Sequence, residues 1–167
     1  MSGSDDRDRA ESLRTVEREV GVLIRRIKRV IGERARAVDP ALQPASYLML
    51  DYLAQHGPMR SSDLAETFNV DKGAISRQVQ HLVDLELAER TPDPEDRRAA
   101  QVAVSAEAKR RLADVSHERL AWLDQRLGEW DAAELAGFAE SLARYNALLS
   151  EPLGPEARRR SPQADPD

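Results

Sequence analysis

Near the start of the chain, apolar residues recur at alternating steps of three and four: Leu13, Val16, Val20, Leu23, Ile27 and Val30, flanked by Ile24 and Ile31. This spacing marks one side of a long helix, a seam that calls for a partner surface. Arg25, Arg26, Lys28 and Arg29 cover its other faces as a solvated exterior. Asp39-Pro40 interrupts the pattern, and Pro44 suits the first turn of a second helix that stops near His56, before Gly57-Pro58. Tyr47, Leu48, Met49, Leu50, Tyr52 and Leu53 make that helix apolar almost all round, as expected of an element buried between two layers.

From Ser61 the periods shorten. Leu64, Ala65 and Phe68 share one face of a two-turn helix, with a serine at its start to accept hydrogen bonds from the free amides. Asn69 follows where the chain must reverse, and asparagine tolerates the left-handed backbone. Val70 can plug the corner and Asp71 can cap the next helix, whose Ile75, Val79, Leu82 and Val83 keep the helical period. Two strand-like runs, Leu87 to Arg90 and Gln101 to Val104, flank Pro92-Asp93-Pro94-Glu95-Asp96-Arg97-Arg98, whose prolines favour a stiff extended tip. Ser105 can cap a helix carrying Leu112, Val115, Trp122, Leu123 and Leu127. Asp131 with Glu134 forms a capping box, and Trp130 can staple onto Leu135. The last helix bears a second seam of three-four spacing: Leu135, Phe138, Leu142, Tyr145 and Leu149.

The predicted fold is mainly α with a small two- or three-stranded β wing: a winged helix-turn-helix lobe plus terminal helices forming a dimer interface. Residues 1–10 are read as a flexible lead, 11–38 as a dimerisation helix, 39–104 as the winged region, 105–150 as helices completing the interface, and 151–167 as a disordered tail. One small lobe cannot cover both terminal seams, so a symmetric dimer is expected. Its interface would draw on Leu13, Val16, Val20, Leu23, Leu135, Phe138, Leu142, Tyr145 and Leu149.

The face opposite the apolar stripe of the second lobe helix carries Gly73, Ser76, Arg77 and Gln80, with Lys72 at its shoulder. Short or hydrogen-bonding side chains at the front of such a helix suit base edges, and Gly73 would let backbone approach closely. Arg97 and Arg98 end the strand tip, where an arginine suits a minor groove or a phosphate. The bland alternatives are a solvated helix face and a hairpin salt-bridged through Asp93, Glu95 and Asp96.

Composition narrows the chemistry. The net charge of −5 argues against a nonspecific polyanion binder. A specific reader remains open if Arg60, Lys72, Arg77, Arg97 and Arg98 line one surface. The chain has no cysteine, which excludes disulfides, thiol catalysis and a thiol oxidation sensor. His56, His81 and His117 show no metal-ligand spacing, no serine sits in a nucleophile elbow, and no glycine-rich phosphate loop is present. No catalytic residue, metal or cofactor is therefore expected. With no membrane-length apolar run and no signal-peptide pattern, a cytoplasmic protein with no membrane partner is expected.

Asp63-Leu64-Ala65, Ile75-Ser76-Arg77, Leu87-Ala88-Glu89-Arg90 and Asp96-Arg97-Arg98 followed by Val102-Ala103-Val104-Ser105 carry a resemblance. The chain resembles the MarR family of bacterial transcriptional regulators over about residues 11–150, most specifically in the wing. The resemblance implies a homodimer built from the first and last helices and a wing in which Asp96 braces Arg98 as that arginine enters the minor groove. It also implies a crevice for a small, often anionic aromatic effector, with Arg26, Tyr47, Tyr52 and Trp122 as conceivable lining. Three positions depart from the family pattern: Glu86 falls where a glycine is usual, Gln43 replaces a helix-opening threonine, and Ala108 replaces a glycine. At Glu86 the chain must either adopt a costly left-handed backbone or shift the helix end.

The resulting expectation is a sequence-specific homodimeric regulator, a repressor released from a palindromic double-stranded DNA operator by a small ligand. Ser76, Arg77 and Gln80 would read the major groove and Lys72 would hold phosphate. Arg60, Ser61, Gly73, Asp96, Arg97 and Arg98 complete the DNA-facing set. The competing reading is a winged-helix protein-interaction adaptor without DNA binding.

Overall fold

A computed structural model describes residues 2–94, 96 and 99–150. Their order is α1 (Ser2–Val38), α2 (Pro44–His56), β1 (Met59–Arg60), α3 (Ser61–Phe68), α4 (Lys72–Asp84), β2 (Ala88–Pro92), β3 (Ala100–Val104), α5 (Ala106–Arg126) and α6 (Ala132–Ser150). The chain divides into a first unit ending at Arg119 and a second beginning at Leu120. The tail expected from residue 151 lies outside the described residues.

In the first unit, α1 takes in the residues expected as a loose lead. Its far end enters the core: Ala35 and Val38 are buried with Leu42 from the following turn, Leu50 and Leu53 from α2, and Leu64 from α3. Pro44 opens α2 behind Gln43, which makes no side-chain cap, and Gly57 closes it with a positive φ of 88°. The expectation that α2 is buried all round needs correction. Met49, Leu50 and Leu53 are buried, but Leu48 is 42% exposed on a side that borders a cavity.

The sheet has the order β1-β3-β2, all antiparallel. Two residues of β1 pair with β3, Met59 opposite Val102 and Arg60 opposite Gln101. Val102 and Val104 bury one part of the hairpin against Leu87 and Ala88. Ser105 then caps α5, its Oγ accepting from the Ala108 amide at 3.1 Å.

Both helices of the helix-turn-helix end in the same way. After α3, Asn69 donates its amide to the Glu66 carbonyl and Val70 donates to Ala65, with Asn69 at φ 49°. After α4, Glu86 donates to Val83 and Leu87 to Leu82, with Glu86 at φ 57°. These paired bonds satisfy the free carbonyls of a helix end and require a left-handed residue between them. The helix end has not shifted; Glu86 adopts the strained conformation in place of glycine.

At the start of α5, Arg110 donates to both oxygens of Glu107 at 3.0 and 2.7 Å, and Arg111 donates to one at 2.8 Å. Arg111 also reaches the Val38 carbonyl at 3.2 Å and Asp39 at 3.4 Å, tying α5 to the turn between α1 and α2.

In the second unit the capping box forms. Asp131 Oδ1 accepts from the Glu134 amide at 2.9 Å, and Glu134 accepts from the Asp131 amide at 2.8 Å. Trp130 packs edge-on against Phe138, with ring centroids 5.7 Å apart. This aromatic contact, one turn beyond the expected Leu135, is favourable for an edge-to-face pair.

A left-handed non-glycine residue costs about 1–2 kcal/mol, partly offset by glycine's extra chain entropy of roughly 0.5–1 kcal/mol. Glu86→Gly should therefore raise the thermal midpoint by about 1–3 °C, measured by circular dichroism. Hydrogen bonds from Arg110 and then Arg111 lower the Glu107 pKa from 4.5 to about 2. Such a depressed group stabilises the fold above its unfolded value and loses that contribution as pH falls through the folded one. The gap in urea midpoint between the native chain and Glu107→Gln should accordingly close as pH drops from 4.5 to about 2.

Candidate nucleic-acid interface

The orientation of α4 follows from three side chains, Ile75, Val79 and Leu82, all fully buried. With that stripe locked inward, Lys72, Gly73, Ser76, Arg77 and Gln80 are exposed. Asp71 fixes the leading end, its Oδ1 accepting from the Ala74 amide at 2.9 Å. A Cβ at Gly73 would lie only 3.1 Å from that oxygen, so glycine leaves room for the cap as well as for an approaching backbone. The two cations stand in the leading half of the exposed face, where the helix dipole is also positive. At the trailing end, Gln80 donates to Asp84 at 2.8 Å.

The start of α3 differs from expectation. Arg60, not Ser61, occupies the cap position, and no side chain caps the helix there. Ser61 is its first residue because the chain runs straight from β1 into the helix. Arg60 is also already engaged: its Nε donates to Asp93 Oδ2 at 2.6 Å, and this contact, chiefly the hydrogen bond, raises the guanidinium pKa. Asp96, expected to brace Arg98, donates its backbone amide to Asp93 Oδ1 at 3.1 Å. Arg97 and Arg98 lie outside the described residues.

A cavity of about 270 Å³ opens between α1, α2 and α5, lined by Ile27, Ile31, Arg34, Tyr47, Asp51 and Arg119 among others. Burial, then the Asp51 carboxylate, raises the Tyr47 phenol pKa, while Arg34 and Arg119 pull it down. The phenol therefore lies between one carboxylate and two cations.

Comparison with known proteins bears on this geometry. A model of the MarR family matches residues 42–99. The HTH-type transcriptional regulator YxaD of Bacillus subtilis is 34% identical over 131 residues, spanning 78% of this chain and 90% of its own. The HTH-type transcriptional repressor NicR of Pseudomonas putida is 32% identical over 92 residues, 54% of this chain and 58% of its own. The crystal structure of Rv1404 from Mycobacterium tuberculosis superposes with a TM-score of 0.70 at 23% identity, covering 86% of this chain and 97% of that one. The chain belongs to the MarR family. It is a winged-helix transcriptional regulator, and its relatives are regulators rather than enzymes.

In this MarR-family chain the residues expected to line an effector crevice are scattered. Tyr47 borders the cavity, but Arg26, Tyr52 and Trp122 are not among its lining residues. Tyr52 instead stacks on His56 at 3.9 Å and meets Phe68 edge-on. Trp122 is 55% exposed under the Arg126 guanidinium. Arg34 and Arg119 went unnoticed in the sequence, although Arg34 lies two turns beyond Ile27 and Arg119 one turn beyond Val115. Arg26 sits about 100° off the Ile27 seam. Sequence periodicity would have picked the two cations that continue an apolar stripe.

Among the described residues, no helix is long and apolar enough to cross a membrane. The expected interface seams are substantially open: Leu13 is 53%, Val16 46% and Leu23 44% exposed on α1, and Phe138 54% and Leu149 66% on α6.

Proposed function

We propose that this regulator is a homodimeric repressor of a palindromic operator, released by a small anionic or phenolic ligand. The observation that carries the DNA reading is the exposed face of α4, with Lys72 and Arg77 at its leading end opposite a fully buried stripe. Ser76, Arg77 and Gln80 are the readers of the major groove, Lys72 holds a phosphate, and Arg98 enters the minor groove. Repression is supported by the similarity to the repressor NicR.

Dimerisation is supported by the apolar seams of α1 and α6, each too exposed for a lone chain. Two-fold pairing would hold the recognition helices about 34–36 Å apart, one duplex turn. The ligand reading rests on the cavity beside Tyr47, where Arg34 and Arg119 offer a carboxylate or phenolate two cations against the single Asp51 carboxylate. Such a ligand acts by favouring a dimer whose helices are wrongly spaced for DNA.

One observation favours the adaptor reading. Residues 57–104 hold nine acidic and six basic side chains, so the lobe as a whole is acidic. Three of the acids are already committed: Asp71 to its cap, Asp84 to Gln80 and Asp93 to Arg60. A DNA reader of this kind binds through a few placed cations and holds nonspecific DNA weakly.

Arg98→Ala should weaken binding to a duplex selected by the native protein by about 1–3 kcal/mol, read by gel-shift titration. Affinity for that duplex should fall steeply as salt rises; a flat response would favour the adaptor. Phe138→Asp should convert a dimer to monomers in light scattering at micromolar concentration, because it sets a charge in each copy of one seam.

A further inference from the structure

Asp93 is the most deeply buried acidic residue described, at 2% exposure. It follows β2 at the point where the wing leaves the sheet. The strand register explains its surroundings. Arg60 stands opposite Gln101, and Gln101 stands opposite Thr91, so these three residues form one cross-strand row. Asp93 lies two residues beyond Thr91 and so emerges on the same face.

Both of its carboxylate oxygens are used. Oδ2 accepts from Arg60 Nε at 2.6 Å and from Gln101 Nε2 at 3.1 Å, while Oδ1 accepts from the Asp96 amide at 3.1 Å. The Asp93 amide donates to the Ala99 carbonyl at 3.1 Å, and the Ala99 amide donates to the Asp96 carbonyl at 2.8 Å. Pro94 stiffens the step immediately after the carboxylate. One side chain thus joins β1, β3 and the first turn of the wing.

The charge arithmetic points the same way. A bare carboxylate at the base of a DNA-facing wing would repel phosphate, and buried without partners it would be costly. Arg60 cancels that charge at the least separation of any ion pair among the described residues. Arg60, placed in the DNA-facing set by the sequence, pairs with Asp93 while 38% of its side chain stays exposed.

We propose that Asp93 is a positioning residue for DNA recognition, fixing the base of the wing through Arg60 and Gln101 so that operator affinity depends on a carboxylate that itself touches no DNA. The inference rests on the DNA reading above and adds a determinant distinct from Asp96 and the wing arginines.

Four full-length proteins test it: native, Asp93→Asn, Arg98→Ala and the double variant. Each is titrated by fluorescence anisotropy with a duplex selected from random-sequence DNA by the native protein. Asp93→Asn should weaken binding about tenfold in the native background but less than twofold beside Arg98→Ala, because the wing's contribution is then already gone. Amide exchange of Asp96 and Ala99 should accelerate in Asp93→Asn while α4 stays protected. A merely structural role would cost the same factor in both backgrounds.

Should Asp93→Asn fail to fold, Arg60→Gln provides the second route. Its side chain is 38% exposed, and its affinity loss should show the same dependence on Arg98. Undiminished affinity, equal losses in both backgrounds, or unchanged exchange at Asp96 would overturn the proposal alone. Failure of the native protein to select any duplex would overturn the DNA reading with it, and the exchange measurement would still report whether the clamp exists.

Discussion

Burial of three side chains on α4 decides what the rest of the lobe can do. Ile75, Val79 and Leu82 have no exposed surface, and truncating such a residue costs about 2–5 kcal/mol against a whole-domain stability of roughly 5–15 kcal/mol. The helix cannot rotate about its axis without losing a large share of that. Its opposite face is therefore fixed outward, and with it the directions of Ser76, Arg77 and Gln80. The cap at Asp71 and the left-handed residues Asn69 and Glu86 then set where the preceding turn and the helix itself begin and end.

Charge in the lobe is governed by placement rather than total. An acidic segment keeps a cationic leading edge on α4 because several carboxylates serve internal partners. Asp71 serves backbone, Asp84 holds Gln80, and Asp93 neutralises Arg60. The Glu107 carboxylate likewise gathers Arg110 and Arg111 at the start of α5, and Arg111 reaches on to the turn after α1. Two of these pairs, Arg60–Asp93 and Arg111–Asp39, join elements far apart in sequence, which gives them an organising role beyond the small stability of exposed pairs.

Helices announced themselves through local chemistry. Asn69 supplied the left-handed turn, Asp71, Ser105 and Asp131 supplied caps, and the three-four spacing supplied each buried or seam-forming stripe. What escaped was anything set by cross-strand register. The two residues of β1 carry no strand signal of their own, because pairing with β3 rather than propensity makes them a strand. The cavity between α1, α2 and α5 shows the same contrast: residue type singles out Arg26, Tyr52 and Trp122, whereas helical phase places Arg34 and Arg119 beside Tyr47 in its lining.

Periodicity and capping, which act within a few residues, determined the mainly helical architecture and the outward face of α4, while the motifs of the lobe and wing carried the family resemblance. Only the tertiary structure decided that Arg60 faces Asp93 across 33 residues, that Glu86 accepts a backbone glycine would take more easily, and that Tyr47 rather than Tyr52 borders the cavity. Each of these depends on how elements approach one another. A chain's local pattern fixes which side of an element is apolar, but the partner that meets its polar groups is chosen only when the elements pack.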